Sequence, residues 1–143
     1  MGADEARKKC LEKTLLTRKD PNMIKVSIFY PRKEGGRFDR DYYLETHMPM
    51  SIERLGIHPG FKGVSVEHGL DGVAPGTDAT YVAMCHFLFD RVEDFMAAFT
   101  PHASVLQGDM PNYTNIEPVI QFSEVKILRQ GPGSDNLDAR EGV

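Results

Sequence analysis

Between residues 23 and 127 the apolar spacing alternates between a period of two and a period near 3.6. The order is strand, helix, strand, strand, helix, strand, and few folds accept it. Met23 to Tyr30 places Ile24, Val26, Ile28 and Tyr30 on one face, then stops at Pro31 and a polar turn through Gly35-Gly36. Residues 61–69 read as a weaker strand with Val64 and Val66 on one face, followed by a long hairpin connection through Asp71-Gly72-Val73-Ala74-Pro75-Gly76. A third strand runs from Thr80 to Phe89. Val82, Met84, His86 and Leu88 oppose Ala83, Cys85, Phe87 and Phe89 on it, as expected of a central strand buried on two sides. The fourth covers Asn115 to Ile127, again apolar on both faces. The pattern predicts an α+β chain with one four-stranded sheet. Two helices cover only one face of such a sheet, so its apolar second face predicts a second copy of the chain packed against it, a homodimer.

Both helices carry readable start signals. Asp39 is a good N-cap, and Phe38 and Tyr43 stand at the N′ and N4 positions of a hydrophobic staple. Leu44, Met48, Ile52 and Leu55 supply the core stripe, and Pro49 within it pushes against the carbonyl of Glu45, which predicts a kink or local unwinding. In the second helix Asp90 and Glu93 have capping-box spacing. Val92, Phe95, Met96, Phe99, Ala103 and Leu106 form its stripe; Pro101 is expected to bend or split it and Gly108 to stop it.

A length of 143 residues fits one domain, here residues 23–128, with an N-terminal extension 1–22 and a flexible, turn-rich tail 129–143. A short helix around Cys10, Leu11, Leu15 and Leu16 is expected within the extension. The net charge of −4 argues against a nucleic-acid partner, which needs a basic face. The extension's six Lys/Arg against four acids leave an excess of two, too few to argue for RNA or a membrane surface. No stretch approaches the roughly 20 apolar residues of a membrane span, and a charged start replaces the apolar core of a signal peptide. With two cysteines a disulfide framework is not expected, the default location is a reducing cytoplasm, and Cys85 reads as a small core residue.

Three segments resemble one family. They are Met-Ile-Lys-Val-Ser-Ile-Phe-Tyr-Pro at 23–31, Asp-Tyr-Tyr-Leu-Glu-Thr-His-Met-Pro at 41–49 and Pro-Asn-Tyr-Thr-Asn-Ile-Glu-Pro-Val-Ile-Gln at 111–121. Together with Phe-Met-Ala-Ala-Phe at 95–99, they are similar to EthD-like proteins over residues 23–127. The resemblance implies a ferredoxin-like βαββαβ fold, with a four-stranded antiparallel sheet, in its dimeric α/β-barrel form. It further implies kinship with muconolactone isomerases, small polyketide cyclases and dehydratases, cofactor-free monooxygenases and haem-degrading enzymes. The family's founding association is with bacterial ether degradation.

The candidate catalytic residues are His47 and Tyr43, at i and i+4 on the side of the first helix bordering its apolar stripe. An imidazole facing a cavity between helix and sheet suits proton transfer, with Tyr43 orienting it or stabilising an enolate. The competing reading has His47 bridging the Pro49 kink by binding the freed carbonyl. The Tyr-Xaa-Xaa-Xaa-His-Xaa-Pro pattern belongs to the family resemblance. Substrate-binding candidates are His86, His102, Tyr113 and Phe99. Each has a plainer alternative: for His86 an inward-pointing, hydrogen-bonded core histidine, for His102 a histidine beside a helix kink, for Tyr113 a turn residue with Asn112 and Asn115, and for Phe99 a stripe residue. No phosphate loop, dinucleotide fingerprint, zinc spacing or Gly-Xaa-Ser-Xaa-Gly elbow is present, so neither cofactor nor metal is expected. These residues point to a small cofactor-independent enzyme acting on an aromatic, polyketide or lactone-type metabolite by acid/base chemistry, as an isomerase, cyclase or lyase. The alternatives are a non-enzymatic dimer that binds a small apolar metabolite or serves in stress, and a cofactor-free or haem-dependent monooxygenase.

Overall fold

A computed structural model describes residues 23–133. Strands β1 (Ile24–Pro31), β2 (Phe61–His68), β3 (Tyr81–Phe89) and β4 (Val119–Glu124) form one sheet in the order β2-β3-β1-β4, every neighbouring pair antiparallel. Two helical arms connect them. The first comprises α1 (Arg40–Tyr42), a π turn (Tyr43–His47) and α2 (Met48–Leu55). The second comprises α3 (Val92–Phe99), a 3-10 turn (Thr100–His102), α4 (Ala103–Asp109) and a second 3-10 turn (Met110–Asn112). This is the ferredoxin-like βαββαβ fold. The register pairs Val26 with Phe87 and Ile28 with Cys85, so β1 and β3 turn one continuous row of apolar side chains toward the helices. Val26, Phe89 and Cys85 are fully buried there, and each large side chain of that row contributes about 1.5–3 kcal/mol.

The first arm begins as its sequence predicts. The Asp39 carboxylate accepts the Tyr42 backbone N–H, a cap of about 1 kcal/mol, and the Phe38 and Tyr43 rings close the staple at 4.9 Å. Gly35, at a φ of +73°, makes the preceding turn in a conformation that other residues adopt at a cost. Pro49 has no N–H, and the helix answers one turn earlier. The Met48 N–H reaches back five residues to the Tyr43 carbonyl, and a fresh α segment starts with Pro49 near its N-terminus, where no donor is needed. The extra residue in that turn rotates the expected stripe. Leu44 faces solvent, while Tyr43 and His47 point inward and Met48 and Leu55 continue the buried face.

Four local expectations are corrected. Asp90 does not cap the second arm; Arg91 holds that position without a side-chain bond, and the Asp90 carboxylate sits 3.6 Å from Lys62 Nζ. Met96 is exposed, because Phe95 and Ala98 carry the buried face. Pro101 splits the arm as expected, but Gly108 does not end it: α4 continues through Asp109. The fourth strand is shorter than residues 115–127. Pro118 cannot donate to a ladder, and Asn115 is instead tied to the first loop by bonds to Arg37 N (2.7 Å) and Gly35 O (3.1 Å). As an edge strand β4 leaves Val119, Ile120 and Phe122 about half exposed. The extension 1–22, its expected helix and the tail beyond residue 133 lie outside the described residues. Among the described residues no helix is long and apolar enough to cross a membrane.

Candidate functional site

The two helical arms and β1 converge on a line of hydrogen bonds between side chains far apart in the sequence. His47 Nδ1 lies 2.9 Å from Asp109 Oδ2, and its Nε2 lies 3.2 Å from the Tyr113 hydroxyl. That hydroxyl is in turn 2.8 Å from the hydroxyl of Tyr30. Asp109 Oδ1 also accepts bonds from the Tyr42 hydroxyl (2.6 Å) and from Asn112 Nδ2 (2.9 Å). The π turn aims His47 inward. The 3-10 turn Met110–Asn112 brings Tyr113 beneath it, where the Tyr113 and Thr114 amides both donate to the Met110 carbonyl. Asp39 N donates to Tyr113 O at 2.7 Å, which joins the start of one arm to the end of the other.

A carboxylate only accepts, so His47 donates from Nδ1, and in the neutral imidazole the Nε2 lone pair faces the Tyr113 O–H. Tyr30 then donates to the Tyr113 oxygen. Burial alone would raise the Asp109 carboxyl, but the bonds from Tyr42, His47 and Asn112 outweigh it and hold the group below the ordinary carboxylate value. Burial pushes Tyr113 far above an ordinary phenol and Tyr30 up to about 12, so both remain hydrogen-bond donors at neutral pH. The outer end is wetter: Asp109 and Tyr42 are half-buried and Asn112 is exposed, whereas His47 is 6% and Tyr113 0% exposed.

The sequence candidates separate sharply here. His47 and Tyr113 join the line of bonds. The alternative in which His47 bridges the helix kink gives way to Asp109, which takes its Nδ1. Tyr43 stacks on His47 with centroids 6.1 Å apart and rings 15° from parallel, so it positions the imidazole by packing and not by a hydrogen bond. Its hydroxyl is buried without a hydrogen-bond partner, and burial, with Cys85 beside it, pushes that group far above an ordinary phenol. His86 lies elsewhere, and the expectation that it points inward is corrected: it sits on the sheet face away from the helices. There its Nδ1 is 2.8 Å from Ser27 Oγ and its Nε2 3.5 Å from Glu67 Oε1. His102 is held 3.2 Å from Arg54 Nη1 beside the Pro101 turn, and Phe99 stacks on Phe95 at 5.5 Å; neither bonds to His47.

Sequence reasoning missed Asp109 and Tyr42. No local signal singles out Asp109, because the sequence ends the second helix at Gly108, one residue before it. Among the described residues no group of three or more His, Cys, Asp or Glu side chains is arranged to hold a metal ion.

Comparison with solved structures extends the fold assignment. An EthD-like protein from Ralstonia eutropha is 47% identical, with 76% of this chain and 96% of that chain covered and a TM-score of 0.71. An ethyl tert-butyl ether D family protein from Bacillus halodurans is 18% identical over 72% of this chain and 98% of that one, with a TM-score of 0.49. A cofactor-independent oxygenase from Streptomyces nogalater, SnoaB, is 14% identical over 78% and 98%, with a TM-score of 0.45. No curated protein matches the sequence. The EthD domain model matches residues 37–117, the stretch that carries His47, Asp109 and Tyr113, and the chain belongs to the EthD family.

Proposed function

We propose that the chain is a small cofactor-independent enzyme that performs acid/base chemistry on an aromatic, polyketide or lactone-type metabolite, of the isomerase, cyclase or lyase kind. The observation that carries this reading is the Asp109–His47–Tyr113 line, whose imidazole has one nitrogen committed to a carboxylate and the other turned toward a phenol. In the forward step the substrate C–H proton passes to His47 Nε2 and the electron pair moves onto the adjacent carbonyl oxygen. The Tyr113 hydroxyl, released from Nε2, donates to that oxygen, while Asp109 stabilises the imidazolium. The imidazolium then returns the proton to a different carbon, or to a leaving oxygen. The first outcome is isomerisation and the second elimination; where the enolate carbon instead attacks a second carbonyl of the same molecule, the new carbon–carbon bond closes a ring and the imidazolium proton goes to the alkoxide that forms, which is cyclisation.

A homodimer with the open sheet faces packed together completes this reading. Phe29, Met84 and Leu88 on that face support it, and the composition suits a cytoplasmic location. A second reading, a non-enzymatic binder, draws on the close packing around His47, where the Tyr113 ring centroid is only 4.5 Å away. His47→Ala discriminates between them in a thermal-shift and turnover panel of phenols, quinones, muconolactones and short polyketides. The enzyme reading expects a ligand that stabilises both proteins and is turned over only by the parent. A ligand whose binding vanishes with His47, and which neither protein converts, establishes the binder instead. Oxygen uptake with any member of the panel marks a monooxygenase.

A further inference from the structure

Where β1 runs into the first helical arm, a cleft of about 260 Å³ opens on the surface. Arg32, Lys33 and Arg40 line it together with Phe38, Val82 and Ile116, and no acidic side chain does. Two of the cations are steered by neutral backbone groups: Arg32 Nε donates to the Ala79 carbonyl at 3.2 Å and Lys33 Nζ to the Asn115 carbonyl at 3.3 Å. Among the described residues none of the three forms an ion pair. In a chain of net charge −4, three uncompensated cations around one concavity are not a sampling of the average surface. Like charges that line one cleft repel one another, and an anion placed among them relieves that repulsion.

We propose that this cleft binds the carboxylate of a small organic acid, with the apolar body of the ligand lying on Phe38, Val82 and Ile116. Guanidinium forks match a carboxylate in geometry as well as charge, and Arg32 and Arg40 supply two of them. The volume falls just under the roughly 300–1,000 Å³ of pockets for drug-sized ligands, which selects a one-ring acid over a nucleotide. Phe38 gives the cleft its link to the rest of the fold. Its ring lies 5.1 Å from Tyr30 and 5.6 Å from Tyr113, so the cleft and the His47 hydrogen-bond line share one aromatic wall. As a binding site the cleft stands on its own geometry.

Titration calorimetry at low salt tests this with benzoate, its uncharged relative benzamide, and inorganic phosphate. Benzoate is expected to bind and benzamide is not. Lys33→Gln with Arg40→Gln should weaken benzoate about tenfold or more, while the charge-preserving Lys33→Arg stays within about threefold of the parent. Both positions are exposed, and far-ultraviolet circular dichroism checks that each variant is folded. Equal binding of benzoate and benzamide overturns the proposal, as does benzoate binding that survives the double glutamine substitution. Phosphate binding as tightly as benzoate overturns the assignment to an organic acid. His47→Ala separates the two readings: it should leave benzoate affinity unchanged, so a failure of catalysis and a failure of the cleft register in different measurements.

Discussion

Tyr43 and Tyr113 are neighbours in the core, with ring centroids 5.3 Å apart, yet trimming each to phenylalanine should move stability in opposite directions. Both substitutions remove one oxygen and keep the ring contacts, such as that of Phe38 with Tyr43 at 4.9 Å and of His47 with Tyr113 at 4.5 Å. Tyr113→Phe deletes the acceptor of the Tyr30 hydroxyl and the donor to His47 Nε2. Each orphaned buried group costs about 1–3 kcal/mol, and part of that is returned because one fewer hydroxyl is buried, which leaves a net loss of about 2–3 kcal/mol. Tyr43→Phe deletes a hydroxyl that is already buried without a hydrogen bond; the Cys85 thiol beside it is a weak partner. Removing that burden should gain about 1 kcal/mol. The two variants then differ by about 3–4 kcal/mol, which separates their urea midpoints by about 1–4 M at constant m. Equilibrium urea unfolding followed by far-ultraviolet circular dichroism measures this directly. A Tyr43→Phe variant that loses more than about 1 kcal/mol shows that its hydroxyl has a real partner, and a neutral Tyr113→Phe shows that the line from His47 to Tyr30 is not formed.

Two further outcomes follow from the titrating groups. Asp109 is held below the ordinary carboxylate value in the folded protein, so its stabilising contribution is complete above about pH 3.9 and is lost as pH falls through the lower folded value; urea midpoints across that range should show a drop that Asp109→Asn lacks. Burial pushes the Cys85 thiol up to about 12, so in a Cys10→Ser background the folded protein should resist iodoacetamide at pH 8 and react once unfolded; rapid labelling of folded protein would refute that placement.

The elements that were legible in the sequence are those whose signals are local. The Phe38–Asp39–Tyr43 start is written in three neighbouring positions and forms as read. The alternation of Ala83, Cys85, Phe87 and Phe89 marks the helix-facing side of the central strand without help from tertiary structure. Pro49 announced a break but not its form. A lost donor can be absorbed by a kink, a gap or a wider turn, and only the packing of Tyr43 under Phe38 and Tyr30 selects the wider turn. Once that turn exists, Leu44 must leave the core, which no periodicity count at a fixed 3.6 can report. Asp109 was illegible for a different reason: it meets His47 across 62 residues, and nothing in either local pattern encodes that meeting.

The candidate site occupies the places where the chain breaks its own local rules. A π turn replaces regular helix at His47, a carboxylate stands in the last turn of α4 against the helix dipole, and a proline opens the 3-10 turn that carries Tyr113. None of these serves the stability of a helix. Each is compensated by the others: three donors converge on Asp109, one of them is the imidazole that the π turn delivers, and Tyr113 occupies the other ring nitrogen. The Tyr43 hydroxyl is the exception: it is buried with no hydrogen bond to the other members of the site. Irregularities that stabilise one another around a single histidine are harder to explain as packing than as the positioning of that histidine, because an apolar residue at position 47 with an ordinary α turn would fill the same space without the buried polar groups.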